Sequence, residues 1–262
     1  MLLAAIDEGF ELVNATAKVC QDIILKGIAD SSLSRNVTVK GGVVMRGLSN
    51  NVRRATQDLD IDFIRYSLDD DSIERFIRKI NCVPGIKIET YGRIEELKQQ
   101  EYKGKRVFVR IIDDSGELLE SKIDFGVHKN LDVNQEEFCF DIANFDEGAC
   151  LLINSKEQMF TEKLRSIVKF GSYSTRYKDI FDMCYLLDGL DEDGLSKCIA
   201  TYIIDDEEML ETSMSEIYQR ISKTFGNHRY MSRLAKSGKN WLDIPEEAAT
   251  ERILVFLRGM LK

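Results

Sequence analysis

Apolar residues recur at helical spacing over residues 3–27 (Leu3, Ile6, Phe10, Val13, Ala17, Cys20, Ile24), which predicts one long amphipathic helix. Val37–Lys40 then reads as a short strand. It runs into Gly41 and Gly42, and Val43–Leu48 follows with a helical pattern. After a polar loop over residues 49–57 the period changes to two, with Leu59, Ile61 and Phe63 alternating with Asp58, Asp60 and Asp62. A helix is expected at residues 70–81 and a strand at Ile86–Tyr91, while the stretch to Gln100 fits neither period. Arg106–Ile112 and Glu117–Val127 alternate around Asp113-Asp114-Ser115-Gly116, the pattern of a hairpin. From about residue 155 the spacing is helical to Met260. Ser155 is placed to cap residues 157–170, Gly171 to end them, and Tyr177–Leu187 to form the next helix. These elements predict an α+β chain: a mixed-sheet domain over residues 1–154 and a mainly helical one over 155–262.

The aspartate strand is the anomaly in this pattern. Asp is depleted in strands, and three carboxylates on one strand face repel one another. A hard divalent cation, Mg²⁺ or Mn²⁺, relieves that repulsion. An EF-hand calcium loop opens with the same D-x-D-x-D but needs Gly at its sixth position and Glu at its twelfth. Here those positions hold Phe63 and Asp69. Asp124, between Ile123 and Phe125, repeats the anomaly on a second strand. It reads either as a solvent-facing strand residue or as a further metal ligand. Asp62 is either a ligand or the partner of a basic residue. Gly41-Gly42, between a strand and a helix, makes a seat for phosphate, because backbone N–H groups and the helix dipole both favour anions there. The full P-loop motif G-x-x-x-x-G-K-[ST] is absent.

Composition narrows the class. Of 262 residues, 44% are hydrophobic and 31% charged, as in ordinary globular proteins and unlike disordered chains. No apolar run reaches membrane-spanning length, and the N-terminal residues lack signal-peptide organisation, so a cytoplasmic protein is expected. Six cysteines without a C-x-x-C pair make a zinc site a poor fit and are expected to be buried free thiols. The net charge of −9 argues against a general nucleic-acid binder. Two basic stretches nonetheless stand out. Residues 162–178 carry Lys163, Arg165, Lys169, Arg176 and Lys178 against Glu162, and residues 228–239 carry Arg229, Arg233, Lys236 and Lys239 with no acid. Asp179 and Asp182 share a helix face, either in a surface ion-pair net or with Asp179 orienting Lys163. Phe181, Met183 and Tyr185 of the same helix are expected in the core.

A glycine pair, a D-x-D strand and a later strand aspartate together resemble the polymerase-β-like nucleotidyltransferase pattern. The chain especially resembles the AbiEii-type nucleotidyltransferase toxins of bacterial abortive-infection and toxin–antitoxin systems. Lys40-Gly41-Gly42-Val43-Val44-Met45-Arg46 and Arg54-Ala55-Thr56-Gln57-Asp58-Leu59-Asp60-Ile61-Asp62-Phe63 carry the N-terminal part. Glu162-Lys163-Leu164-Arg165-Ser166-Ile167 and Arg176-Tyr177-Lys178-Asp179-Ile180-Phe181-Asp182-Met183 carry the helical part. The resemblance implies transfer of a nucleoside monophosphate from an NTP to an acceptor such as the 3′ end of tRNA, with two metal ions held by Asp58, Asp60 and Asp124. It implies Asp58, Asp60, Asp124 and Lys163 as catalytic residues. Gly41, Gly42, Arg46, Lys163, Lys178 and Asp179 would contact the nucleotide, the helical domain would complete the nucleotide and acceptor site, and a cognate antitoxin would be encoded separately. Related folds also modify protein or small-molecule hydroxyls, which is the competing expectation; a binding module with a degenerate site is a third.

Overall fold

The computed structural model describes residues 1–97 and 104–261. The chain divides into two compact units, Met1–Asn154 and Ser155–Lys262.

The first unit is α+β. It begins with α1 (Leu2–Asp7) and α2 (Leu12–Asp30), continues through β1 (Val37–Lys40), α3 (Gly41–Ser49), β2 (Leu59–Phe63) and α4 (Asp70–Ile80), and then forms β3 (Ile86–Leu97), β4 (Gly104–Asp113), β5 (Leu118–Val127), β6 (Gln135–Ile142) and β7 (Phe145–Asn154). The described strands make one seven-stranded mixed sheet in the order β3-β4-β5-β2-β1-β7-β6. β2 lies between β1, antiparallel, and β5, parallel. Leu59, Ile61 and Phe63 are buried, as are Val39, Ile123, Phe125, Val107 and Val109 on the neighbouring strands. Phe76 of α4 packs edge-on against Phe63 and Phe125, at ring-centroid distances of 5.1 and 5.5 Å. One sheet face is therefore sealed by apolar packing. The period-two pattern then sends Asp58, Asp60 and Asp62 to the other face.

Three expectations need correction. The single helix over residues 3–27 is two helices, broken between Asp7 and Leu12, where Gly9 takes φ +100°. Glycine alone accepts that angle without strain, and the apolar spacing continues across the break, which hides it. The six thiols are not all free and buried. The register of β6 and β7 sets Cys139 opposite Cys150, where they are disulfide-bonded, and Cys82 is exposed. The strand at Ile86–Tyr91 continues to Leu97, past a register irregularity between Tyr91 and Glu95. That irregularity explains why the stretch shows no single period. Residues 98–100 lie outside the described residues.

The second unit is helical: α5 (Lys156–Phe170), α6 (Tyr177–Leu186), α7 (Glu192–Ile199), α8 (Met214–Phe225), α9 (His228–Lys236) and α10 (Glu246–Gly259). Ser155 Oγ accepts the Gln158 N–H, the N-cap bond its position predicts, and Gly171 closes α5 at φ +53°. Phe160, Leu164, Phe181, Met183, Ile217, Ile221 and Ile253 are buried in this unit, and Tyr185 is half-buried against Trp241. No helix among the described residues is long and apolar enough to cross a membrane.

Candidate active site

Strand register builds the charged face. Lys40 of β1 pairs with Asp60 of β2, Asp60 with Asp124 of β5, Asp124 with Arg106 of β4, and Arg106 with Glu95 of β3. Paired residues of adjacent strands point to the same face. One row across five strands thus reads Lys, Asp, Asp, Arg, Glu, with its two central carboxylates side by side.

The glycine bend meets this row at its centre. Gly41 has φ +70°, and a Cβ on it would lie 2.5 Å from Asp60 Oδ2. A Cβ on Gly42 would lie 2.6 Å from Thr56 Oγ1. The two glycines therefore have separate tasks. Gly41 lets the chain bend against the Asp60 carboxylate, and Gly42 lets the start of α3 approach the loop that leads to Asp58. Gln21 of α2 holds that loop, donating from Nε2 to the Thr56 carbonyl at 3.0 Å. α3 begins at Gly41 with no side-chain cap, so its first N–H groups are left for another acceptor. Gly41→Ala is expected to lower activity by at least about tenfold and stability by about 1–3 kcal/mol, through strain at positive φ and displacement of Asp60. Kinetics and thermal melts of the same preparation check both.

The four aspartates differ in partners. Asp58 pairs with Lys122 at 2.7 Å, Asp62 with Lys40 at 2.7 Å, and Asp124 accepts two bonds from Arg106, Nε and Nη2 each at 2.7 Å. Asp60 has no ion pair among the described residues. Its carboxyl is pushed up to about 6, chiefly by burial, with Lys40 pulling it down and Asp124, Asp58 and Asp62 adding to the rise. Asp62 thus takes a basic partner, for which Gly126 makes room: a Cβ there would lie 2.2 Å from Asp62 Oδ1.

The donor chemistry would suit a hard cation, since Asp58, Asp60 and Asp124 offer only carboxylate oxygens and Asp60 has no ion pair among the described residues. No group of three His, Cys, Asp or Glu side chains among the described residues is gathered tightly enough to hold a metal ion. The ion pairs give the physical reason: Lys122 holds Asp58 and Arg106 holds Asp124.

Arg46, expected to contact the nucleotide, is buried beneath this face. Its guanidinium donates to Gln21 Oε1 and lies 3.4 Å from Asp22 of α2. These contacts fasten α3 onto α2. Lys40, Arg106 and Lys122, the bases paired with these aspartates, were not anticipated from the sequence, because strand register alone brings them together.

Lys163, Lys178 and Asp179 belong to the second unit. The Lys163 ammonium lies 3.0 Å from Asp179 Oδ1 and 2.8 Å from Asp182 Oδ2. Asp182 is fully buried and also accepts the Trp241 indole N–H at 3.0 Å. Asp179 Oδ2 is buried with no hydrogen-bond partner among the described residues. Of the two readings for this helix face, the pair is buried rather than a surface net, and both carboxylates hold Lys163. Lys178 is half-buried one position earlier on α6.

A glycine-opened helix start against paired strand carboxylates is a site for a phosphate ester and its counter-charge, which defines a class of phosphate-transferring enzymes. Residues 23–249 match the family described as Nucleotidyl transferase AbiEii toxin, Type IV TA system. The chain belongs to that family, and membership in a type IV toxin–antitoxin system implies a separate antitoxin. No curated protein matches the chain in sequence.

Proposed function

We propose that the chain is a divalent-cation-dependent nucleotidyltransferase toxin that transfers NMP from an NTP to the 3′ end of tRNA. The first unit is its polymerase-β-like catalytic core, and the helical unit supplies Lys163 and contacts to the acceptor. The observation that supports this reading best is the approach of Gly41 to the Asp60 carboxylate, too close to admit a Cβ, with Asp124 beside Asp60 in register.

The acceptor hydroxyl oxygen forms a bond to the α-phosphorus. The bond from that phosphorus to the bridging oxygen breaks, pyrophosphate leaves, and the hydroxyl proton passes to solvent. Asp58, Asp60 and Asp124 would hold Mg²⁺ or Mn²⁺, which supplies charge neutralisation to the triphosphate when bound. Gly41 and Gly42 present the α3 N–H groups to the outer phosphates. Family resemblance assigns Lys163, Lys178 and Asp179 to the nucleotide; Asp179 and Asp182 hold the Lys163 ammonium in place. Arg46 acts only through the scaffold. Expression of such a toxin in the cytoplasm places it with tRNA and NTPs.

Arg106 competes with a cation for Asp124. Arg106→Gln should bind Mn²⁺ about tenfold more tightly than wild type, and its metal-free form should melt lower, because Asp124 stays buried without a counter-charge. Titration calorimetry and melts with and without Mn²⁺ measure this; unchanged affinity would remove Arg106 from the account.

Radiolabelled NTPs offered with total RNA test the function itself. Label on tRNA that disappears with Asp60→Ala supports the proposal. Label confined to protein or to a small-molecule hydroxyl would replace the acceptor. No transfer and no NTP binding under several metals would leave a binding module.

A further inference from the structure

Two basic stretches mark the helical unit, and the structure separates them. In the first, Lys163 is held by Asp179 and Asp182, Arg165 by Asp206, and Lys169 by Glu208. Most of that charge is answered within the fold. The second stretch behaves differently. α9 carries Arg229, Arg233 and Lys236 at positions i, i+4 and i+7, so they share one face, and the helix contains no acidic residue. All three are exposed, and none has a carboxylate partner among the described residues. Tyr230 and Leu234, one position on from Arg229 and Arg233, are buried and fix the stripe outward. A protein of net charge −9 has acids to spare, yet leaves this row bare.

The turn after α5 adds aromatic surface. Phe170 is 51% exposed and Tyr173 86% exposed, at the two ends of this turn. Arg233 Nη2 donates to the Ser172 carbonyl, which ties the basic stripe of α9 to the residue beside Tyr173. Arg176, three residues further on, is exposed and likewise has no carboxylate partner among the described residues.

We infer that α9 and the Phe170–Arg176 turn form a docking surface for single-stranded RNA, with bases stacked on Tyr173 and Phe170 and phosphates on Arg229, Arg233, Lys236 and Arg176. Flat exposed aromatics beside unpaired cations suit a strand whose bases are unstacked and whose backbone is anionic. An acidic protein segment would use the cations but has no need of the aromatic rings. The inference rests on the RNA-acceptor reading above and names where the acceptor strand is held.

The test is fluorescence anisotropy of a labelled, unstructured 12-nucleotide RNA on the full chain, at salt from 50 to 200 mM. Tyr173→Ala is expected to weaken binding about tenfold. The double variant Arg229→Gln/Lys236→Gln should flatten the slope of log K against log salt by about 1.4, the loss of two phosphate contacts on a single strand. These side chains are exposed, so a melt matching wild type accompanies each variant. Wild-type affinity in both variants would overturn the surface, as would displacement of the RNA by polyglutamate with no dependence on Tyr173. Label transfer separates the two claims. RNA labelling at wild-type rates in both variants would sink this surface and keep the acceptor reading. Binding through Tyr173 with label found only on protein would do the reverse.

Discussion

Asp60→Asn should abolish nucleotidyl transfer, by about a thousandfold or more, while making the metal-free protein more stable at neutral pH. The two effects have one cause. Burial above all, together with the neighbouring Asp124, Asp58 and Asp62 and against the pull of Lys40, raises the Asp60 carboxyl to about 6. The fold prefers the protonated acid more than the unfolded chain does. Asp60's contribution to stability is therefore fully present below about pH 4 and is lost as pH rises through 6. Above that the ionised group costs on the order of 1–3 kcal/mol, since part of its charge still reaches water. Asparagine removes the charge and the cost with it. Thermal melts of wild type and variant in chelator should diverge between pH 4 and 7, with the variant higher at pH 7. Melts that coincide across this range would contradict the assigned strain.

The second large effect lies in the helical unit and acts on stability. Asp182→Ala removes a fully buried carboxylate that holds both the Lys163 ammonium and the Trp241 N–H. The loss takes the Asp182 acceptor from the indole N–H and one of its carboxylates from the buried Lys163 ammonium. A cost of about 3–4 kcal/mol is expected, a fall of roughly 8–12 °C in melting temperature for a chain of this size. Asp179→Asn should cost far less, because one of its oxygens already lacks a partner and Asp182 still answers Lys163. Equal losses in the two variants would mean that the Lys163 pair, rather than the Trp241 bond, sets the stability of this region.

The sequence was most legible where chemistry and periodicity coincided. Leu59, Ile61 and Phe63 had to face a core, and that alone placed Asp58, Asp60 and Asp62 together on the opposite face. Ser155 announced its helix because a cap needs a short side-chain acceptor at that position. The β6–β7 hairpin was harder to see. Its turn places Asn144 at φ +69° without a glycine, so the usual punctuation is missing. The bases that hold Asp58 and Asp124 were invisible for another reason. Lys122 and Arg106 find those partners only through the register of β5 against β2 and β4, and register is a long-range property. Arg46 was equally hard to place. A family motif suggested a ligand contact, while its observed partners, Gln21 and Asp22, come from a helix more than twenty positions earlier.

The claim on which the enzyme reading depends is that Asp60, pressed against Gly41 and flanked by Asp124, receives the cation that accompanies the nucleotide. Calorimetric titration of Mn²⁺, in the presence of a non-hydrolysable NTP, into wild type and Asp60→Asn measures it directly. Saturable binding to wild type is expected, with proton release that grows as the buffer is taken below pH 6, and loss of that binding in the variant. Wild-type affinity for Mn²⁺ and nucleotide in Asp60→Asn would contradict it.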